Sequence, residues 1–211
     1  MVNFMLSMSL MVSDSKSDTS SSESVDSMKE IGAPFGLEWG IFEKDFKAKG
    51  IVASCETSGG LISCEASVVP QSVSVADNYV LVLDSKSGLQ KVVMIGKTID
   101  GDSYGSQGKL AYQSIKSTLE NKYSSPESFE YVGRKLYRDS DEFYQCLAYD
   151  GCGKWASYWS VGDDKGGFIG LHLKGLRRGQ GYITLTYESK DWGLVVDRIK
   201  TEQKVKDSSA F

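Results

Sequence analysis

Cysteines are the residues whose type and spacing point most directly to chemistry in this chain. The four form two local pairs, Cys55 with Cys64 and Cys146 with Cys152. Local pairing without a Cys-x-x-Cys motif favours disulfides over a zinc site. All four could converge on zinc only if the tips of two hairpins met, and the separations within the pairs are unusual for that metal. The sequence therefore predicts disulfides, with no metal and no other cofactor.

The first pair lies in a segment that predicts a β-hairpin over residues 51–68. The turn is Gly59-Gly60, two residues that can both take positive φ. In this register Cys55 and Cys64 face each other at a non-hydrogen-bonded site, where side chains come closest. A slip of one residue would move the apolar side chains to the solvent face, so the register is well specified. The other pairs on the apolar face are Thr57/Ile62, Ala53/Ala66 and Ile51/Val68. The alternative is two buried free thiols that act as small apolar residues.

The second pair leaves two interpretations open. If Asp150-Gly151 is a two-residue turn, Cys146 and Cys152 point to opposite faces and cannot bond. If the loop is wider, the two cysteines can bridge it. The first pair favours an oxidising compartment, and this in turn favours the wider loop.

Nucleophilic catalysis would have to use His172, the only histidine of the chain. The strand pattern places His172 on a polar face, and the chain has no Gly-x-Ser-x-Gly elbow. The paired glycines match neither a P-loop nor a dinucleotide fingerprint. These patterns predict a protein that is not an enzyme.

Aromatic residues cluster around the second cysteine pair. Trp155 and Trp159 share one face of a predicted strand, and Arg177 and Arg178 occupy the tip of a later predicted hairpin. Exposed tryptophans beside a positively charged tip are typical of a protein-contact surface. The alternative is a plain core next to a solvated basic turn.

Hydrophobic periodicity predicts an α+β fold: an antiparallel sheet built from hairpins, with about three helices packed on one face. The order is helix, four strands, helix, five strands, helix, which suggests two diverged helix-plus-meander halves. The predicted helices cover 43–49, 109–123 and a last segment from Ser189 or Asp191 to about Val205, with Leu194, Val195 and Ile199 facing inward. Predicted strands besides the cysteine hairpin are 79–83, 89–95, 129–137, 142–148, 154–160, 168–174 and 182–187. The last hairpin has a three-residue loop, Arg177-Arg178-Gly179, and pairs Leu173/Ile183, Leu171/Leu185 and Ile169/Tyr187.

The chain of 211 residues divides into a tail and a domain. Residues 1–32 predict a disordered, Ser-rich tail, and residues 33–206 predict a single α+β domain. An apolar segment at 4–12 is too short to span a membrane. It is either a degraded secretion signal or the plain start of the tail. The net charge of −4 gives no electrostatic reason to expect a nucleic acid as partner.

Two short motifs carry a family resemblance. The opening Pro34-Phe35-Gly36-Leu37-Glu38-Trp39-Gly40 and the later Lys122-Tyr123-Ser124-Ser125-Pro126 resemble segments of uncharacterised bacterial envelope proteins and lipoproteins. The resemblance implies a small extracytoplasmic domain that is not an enzyme, and it assigns no catalytic residue. The start of this chain carries no cysteine that could hold a lipid.

Together these observations predict a non-catalytic, protein-binding domain of bacterial origin, located in the periplasm or outside the cell. An inhibitor, an immunity-type protein or an envelope accessory factor would fit. The partner is then another protein, bound through Trp155, Trp159, Arg177 and Arg178. Two alternatives stay open: a small-ligand or glycan-binding module that uses exposed aromatic rings, and a cytoplasmic protein with free thiols.

Overall fold

The computed structural model describes residues 30–160 and 166–208. The predicted tail at 1–32 therefore lies almost wholly outside the described residues. Within them, Ile31 is fully buried, and its N–H donates to the carbonyl oxygen of Gly166 at 3.0 Å. The ordered packing thus includes this residue, two positions before the predicted start of the domain.

The described strands form one antiparallel sheet, which confirms the α+β class. The sheet order is β1-β2-β3-β4-β8-β7-β6-β5. Two four-stranded meanders, β1–β4 and β5–β8, thus join where their last strands pair, and β1 and β5 become the edges. The strands are β1 Val52–Ser58, β2 Leu61–Val68, β3 Ala76–Asp84, β4 Gly88–Gly96, β5 Glu127–Tyr131, β6 Lys154–Ser160, β7 Phe168–Arg177 and β8 Gln180–Glu188.

The cysteine hairpin has the predicted two-residue turn and the predicted register over most of its length. Cys55 pairs with Cys64, and Gly59 and Gly60 have φ of +58° and +85°. A bulge between Val52 and Ala53 then shifts the register, so that Val52 rather than Ile51 pairs with Val68. The predicted Ile51/Val68 pair is therefore wrong. Ile51 instead bonds through its N–H to the carbonyl oxygen of Phe46 at 2.9 Å.

The last hairpin also keeps its predicted register. Its pairs include Leu173/Ile183, Leu171/Leu185 and Ile169/Tyr187. A bulge after Gly175 brings Arg177 opposite Gln180, so the loop is Arg178-Gly179, two residues instead of the predicted three.

Three α-helices are present among the described residues: α1 Ser106–Tyr123, α2 Phe143–Ala148 and α3 Trp192–Ser208. The predicted first helix is only a 3₁₀ turn, Glu43–Asp45. The predicted strand at 142–148 is wrong, because this segment forms α2. Helical geometry buries Phe143, Tyr144 and Cys146 together, whereas a strand would place Phe143 on the face opposite the other two.

The sheet has one buried face and one partly exposed face. Along β8 the side chains alternate strictly between buried and partly exposed positions. Tyr112 of α1 and Tyr144 of α2 cover the buried face. Phe35, from the segment before β1, packs there on Tyr79 with ring centroids 4.9 Å apart. We call the opposite side the open face; its partly exposed side chains include Val93, Tyr158, Phe168, His172, Thr184 and Thr186.

Helix α3 lies against the turn between β3 and β4. The guanidinium of Arg198 pairs with the carboxylate of Asp84 at 2.5 Å, and Lys86 pairs with Glu202 at 2.9 Å. Val195 is buried as predicted, whereas Leu194 is 72% exposed and does not face inward.

Candidate binding surface

The two tryptophans do not form the exposed patch that their spacing predicted. Trp159 is only 2% exposed, and its indole N–H donates to the carbonyl oxygen of Ser124 at 2.9 Å. Trp155 is half-buried against Phe143, with ring centroids 5.3 Å apart. Both side chains project from the face of β6 that α1 and α2 cover, so they belong to the core.

The two arginines are exposed, but each has a partner nearby. Arg178 forms an ion pair with Asp141 in the 3₁₀ turn before α2. The Nε–H of Arg177 donates to the side-chain oxygen of Gln180 at 2.5 Å. These contacts hold both arginines against neighbouring parts of the domain. The structure does not bring the arginines together with Trp159, which lies in the core.

Both cysteine pairs lie at disulfide distance, with Sγ–Sγ separations of 2.03 Å for Cys55–Cys64 and 2.10 Å for Cys146–Cys152. No cysteine is free. The second pair can bond because Cys146 lies on a helix, to which the argument from strand alternation does not apply. Paired cysteines throughout the chain indicate an oxidising compartment.

The open face carries a group of rings that we call the open-face aromatic cluster: Phe129, Tyr158, Phe168 and His172. Tyr158 is at its centre. Its ring stacks on Phe168 at 5.8 Å, meets His172 edge-on at 5.2 Å and lies 6.0 Å from Phe129. All four side chains are partly exposed. The cluster draws on three strands of the second meander, so the sheet itself holds the rings in place.

A lysine lies over this cluster. The ammonium nitrogen of Lys154 is 4.3 Å from the ring centre of Phe129 and 4.7 Å from that of Tyr158. Contacts of this kind between an ammonium and aromatic faces contribute about 0.5–1 kcal/mol at exposed sites. The combination is an apolar surface with a positive charge at its margin.

His172 is neutral near pH 7. Burial beside the cluster, together with the positive charges of Lys174 and Lys154, lowers the pKa of the imidazole to about 4. A neutral ring of this kind offers one donor and one acceptor to a ligand.

Other polar groups in the interior serve the packing. The hydroxyl of Tyr144 donates to the carboxylate of Asp102 at 2.9 Å, and burial raises the pKa of this phenol. Tyr112, Ser157 and Ser128 form a chain of hydroxyl contacts at 2.6 and 2.8 Å. Burial likewise raises the pKa of Tyr112, so both phenols stay protonated.

Strand parity in the sequence carries a signal for the open-face aromatic cluster. Tyr158 has the opposite strand parity to Trp155 and Trp159, and His172 and Phe168 share one parity on the next strand. Parity alone does not tell which side of the sheet the helices cover.

A comparison with known protein families, curated proteins and solved structures finds no match for this chain. Among the described residues, none of the helices combines the length and apolar character needed to cross a bilayer. Nor do the described residues include a group of three or more side chains placed to hold a metal ion.

Proposed function

We propose that this chain is a non-catalytic domain that binds another protein through the open face of its sheet. The observation that carries the proposal is the open-face aromatic cluster, in which rings from β5, β6 and β7 remain partly exposed on a rigid sheet. Aromatic residues are enriched where protein interfaces gain most of their binding energy.

The sheet makes this surface well suited to binding. Phe129 and Phe168 each already contact Tyr158, so little side-chain freedom is lost when a partner covers these rings. The entropic cost of ordering these side chains on binding is therefore small, and the affinity is correspondingly higher.

The setting we propose is the periplasm or the exterior of a bacterial cell. The two disulfides support an oxidising compartment. The resemblance of residues 34–40 and 122–126 to bacterial envelope proteins supports the bacterial origin. An inhibitor, an immunity-type protein or an envelope accessory factor would each act there by binding a protein.

Site-specific photo-crosslinking in the native host tests the proposal. A photoreactive residue at Thr184, on the open face, should form a discrete adduct with a partner protein. The matched control is Leu110 of α1, which is 74% exposed and lies outside the open face. Adducts at position 110 that match those at position 184, or the absence of an adduct at 184, would refute the proposal.

A second candidate function is glycan or small-ligand binding. A cavity of about 670 Å³ lies where β7 and β8 meet the start of α3, and Phe168 and Trp192 are among its lining residues. Aromatic rings beside a cavity favour a ligand that stacks on them. Glycan-array binding that is lost in Trp192→Ala and retained in Tyr104→Ala, an exposed tyrosine that does not line the cavity, would favour this function over protein binding.

A further inference from the structure

One corner of the open face concentrates positive charge. Lys154 pairs with Tyr131 across β5 and β6, and Lys174 pairs with Tyr182 across β7 and β8. The β6–β7 pairing ends at Ala156 and His172, and Lys154 and Lys174 each lie two residues beyond this pair on their own strands. The influence of both lysines on the pKa of His172 agrees with this proximity.

Arg134 adds a third charge to this corner. Its guanidinium lies over the ring of Tyr131, 3.5 Å from the ring centre. A guanidinium stacked in this way keeps its N–H edge available for a carboxylate. We call Arg134, Lys154 and Lys174 the basic corner.

Within the part of the chain that the structure describes, the basic corner lacks a counter-charge. Among the described residues, no carboxylate lies within ion-pair distance of its three cations. Lys91 of β4 is paired with Glu188, and Lys116 of α1 is paired with Glu130. The nearest acid on the open face is Glu127, which pairs with Tyr158 two rows away.

Lysines that lie near one another on neighbouring strands reduce stability, because like charges repel. The chain is acidic overall, with 28 Asp and Glu against 24 Lys and Arg. A ligand that brought negative charge to the basic corner would relieve this repulsion.

Resting on the proposed function, we infer that the basic corner receives an acidic peptide segment of the partner protein. Its Asp or Glu side chains would pair with Arg134, Lys154 and Lys174, and its apolar side chains would lie on the open-face aromatic cluster. A peptide suits the site better than a long polyanion, because its charges meet only the corner, whereas a nucleic acid or heparin chain would also meet the acidic remainder of the surface.

An NMR titration of the ¹⁵N-labelled full chain tests the inference. The probe is the capped peptide Glu-Glu-Phe-Glu-Glu-Phe-Glu-Glu, and its counterpart with Gln in place of every Glu is the neutral control. We expect the acidic peptide to shift amides of β5, β6 and β7 around the basic corner. We expect the double variant Lys154→Gln/Lys174→Gln to weaken binding by about tenfold or more.

The matched control is Lys44→Gln/Lys47→Gln, which removes the same charge from two exposed lysines outside the basic corner. It should change the affinity by less than about twofold. Equal losses in the two double variants, or equal binding of the neutral peptide, would overturn the inference. Tighter binding of heparin at the same corner would also overturn it.

Two other occupants give distinct results. If the acidic tail of this chain fills the corner, neutralising Asp14, Asp18, Glu23 and Asp26 will shift the corner amides without any probe. If a second copy covers it, sedimentation will show a dimer that the Lys154/Lys174 variant dissociates. Either result overturns the inference of a partner peptide.

The crosslinking assay separates this inference from the proposed function. An adduct at position 184 that persists at full yield in Lys154→Gln/Lys174→Gln means that a protein binds the open face without using the basic corner. The inference then fails and the proposed function stands. Loss of the adduct in this double variant, with retention in Lys44→Gln/Lys47→Gln, supports both.

Discussion

At the scale of single residues, Tyr144 shows how the core depends on glycines, which leave room for a neighbouring side chain. Its hydroxyl donates to Asp102 at 2.9 Å, and Asp102 also accepts the N–H of Gly108 at 3.0 Å. A Cβ at Gly108, Gly175 or Gly181 would clash with Tyr144. The three glycines thus form the space into which α2 inserts its tyrosine.

Two glycine substitutions in helices should therefore have opposite effects. Gly108→Ala should destabilise the protein by about 1–3 kcal/mol, because the new methyl group displaces the Tyr144 hydroxyl from Asp102. Gly193→Ala in α3 meets no atom within 4 Å and should stabilise it by up to about 1 kcal/mol. Urea unfolding of both variants measures the difference. A stabilising Gly108→Ala would contradict this account of the packing.

The imidazole of His172 should titrate near pH 4, because burial and the two neighbouring lysines disfavour its charged form. The unfolded chain binds this proton at an ordinary pKa of about 6.5, so the group favours the folded state above that pH. Its contribution is lost as the pH falls from about 6.5 through 4. NMR titration of the ring resonances measures the midpoint, and Lys174→Gln should raise it. A midpoint at or above 6.5 in the wild-type protein would show that the ring is solvated.

At the scale of the elements, α3 depends on few contacts. Asp84 is 1% exposed, and burial alone would raise the pKa of its carboxyl group. Hydrogen bonds from Ser87 and Arg198, with the charge of Arg198, outweigh this effect and lower the pKa below its ordinary value. Residues 201–208 of α3 are all exposed, so its docking is concentrated in its first half.

Removal of Arg198 should therefore release α3. Arg198→Met leaves the buried carboxylate of Asp84 with Ser87 alone and should cost about 1–2 kcal/mol. Hydrogen exchange should show lost protection in α3, while β4 and β8 stay protected. The control Lys200→Met changes a side chain that is 73% exposed and should have little effect.

The ion pair between Asp84 and Arg198 also makes the docking of α3 depend on pH. Because the pKa of Asp84 is lowered in the folded state, its stabilising effect is present above about pH 4 and is lost as the pH falls further. Protection of α3 that stayed constant down to pH 2 would argue against this anchor.

At the scale of the whole molecule, each meander carries one disulfide. The first closes the edge hairpin β1–β2, and the second links α2 to the segment before β6. In the chain-entropy model, each disulfide that closes a loop of this size stabilises the folded protein by about 2–3 kcal/mol. Such crosslinks persist only where thiols are not continually reduced.

Protein taken from its native compartment, unfolded without reductant, should therefore accept no alkylating label at its four cysteines. The same protein should accept four labels after reduction, because Cys55, Cys64, Cys146 and Cys152 are then free thiols. Stoichiometric labelling before reduction would place the chain in a reducing compartment.

Local pattern was sufficient for the hairpins and for α1. Gly59-Gly60 and the alternation around it determine the partners of Cys55 and Cys64, because a shift of one residue would turn the apolar side chains outward. The same reasoning predicted the pairs of β7 with β8. It failed for α2, where six residues are too few for helical periodicity to be told from strand alternation.

The open-face aromatic cluster and the basic corner depend on contacts that local pattern does not contain. Which residues share a face of a strand follows from sequence parity, as for Trp155 and Trp159 against Tyr158. Which face becomes the core depends on where α1 and α2 pack. Tyr144 in α2 occupies the space beside Gly108, Gly175 and Gly181, which lie 31 to 37 residues away along the chain. The sequence by itself thus determined the two hairpins, their registers apart from the bulges near Val52 and Gly175, and the cysteine pair across β1 and β2. Only tertiary packing decided that Trp155 and Trp159 belong to the core side while Tyr158 and Lys154 lie on the open face, because the burial of a face is set by distant elements and not by the strand itself.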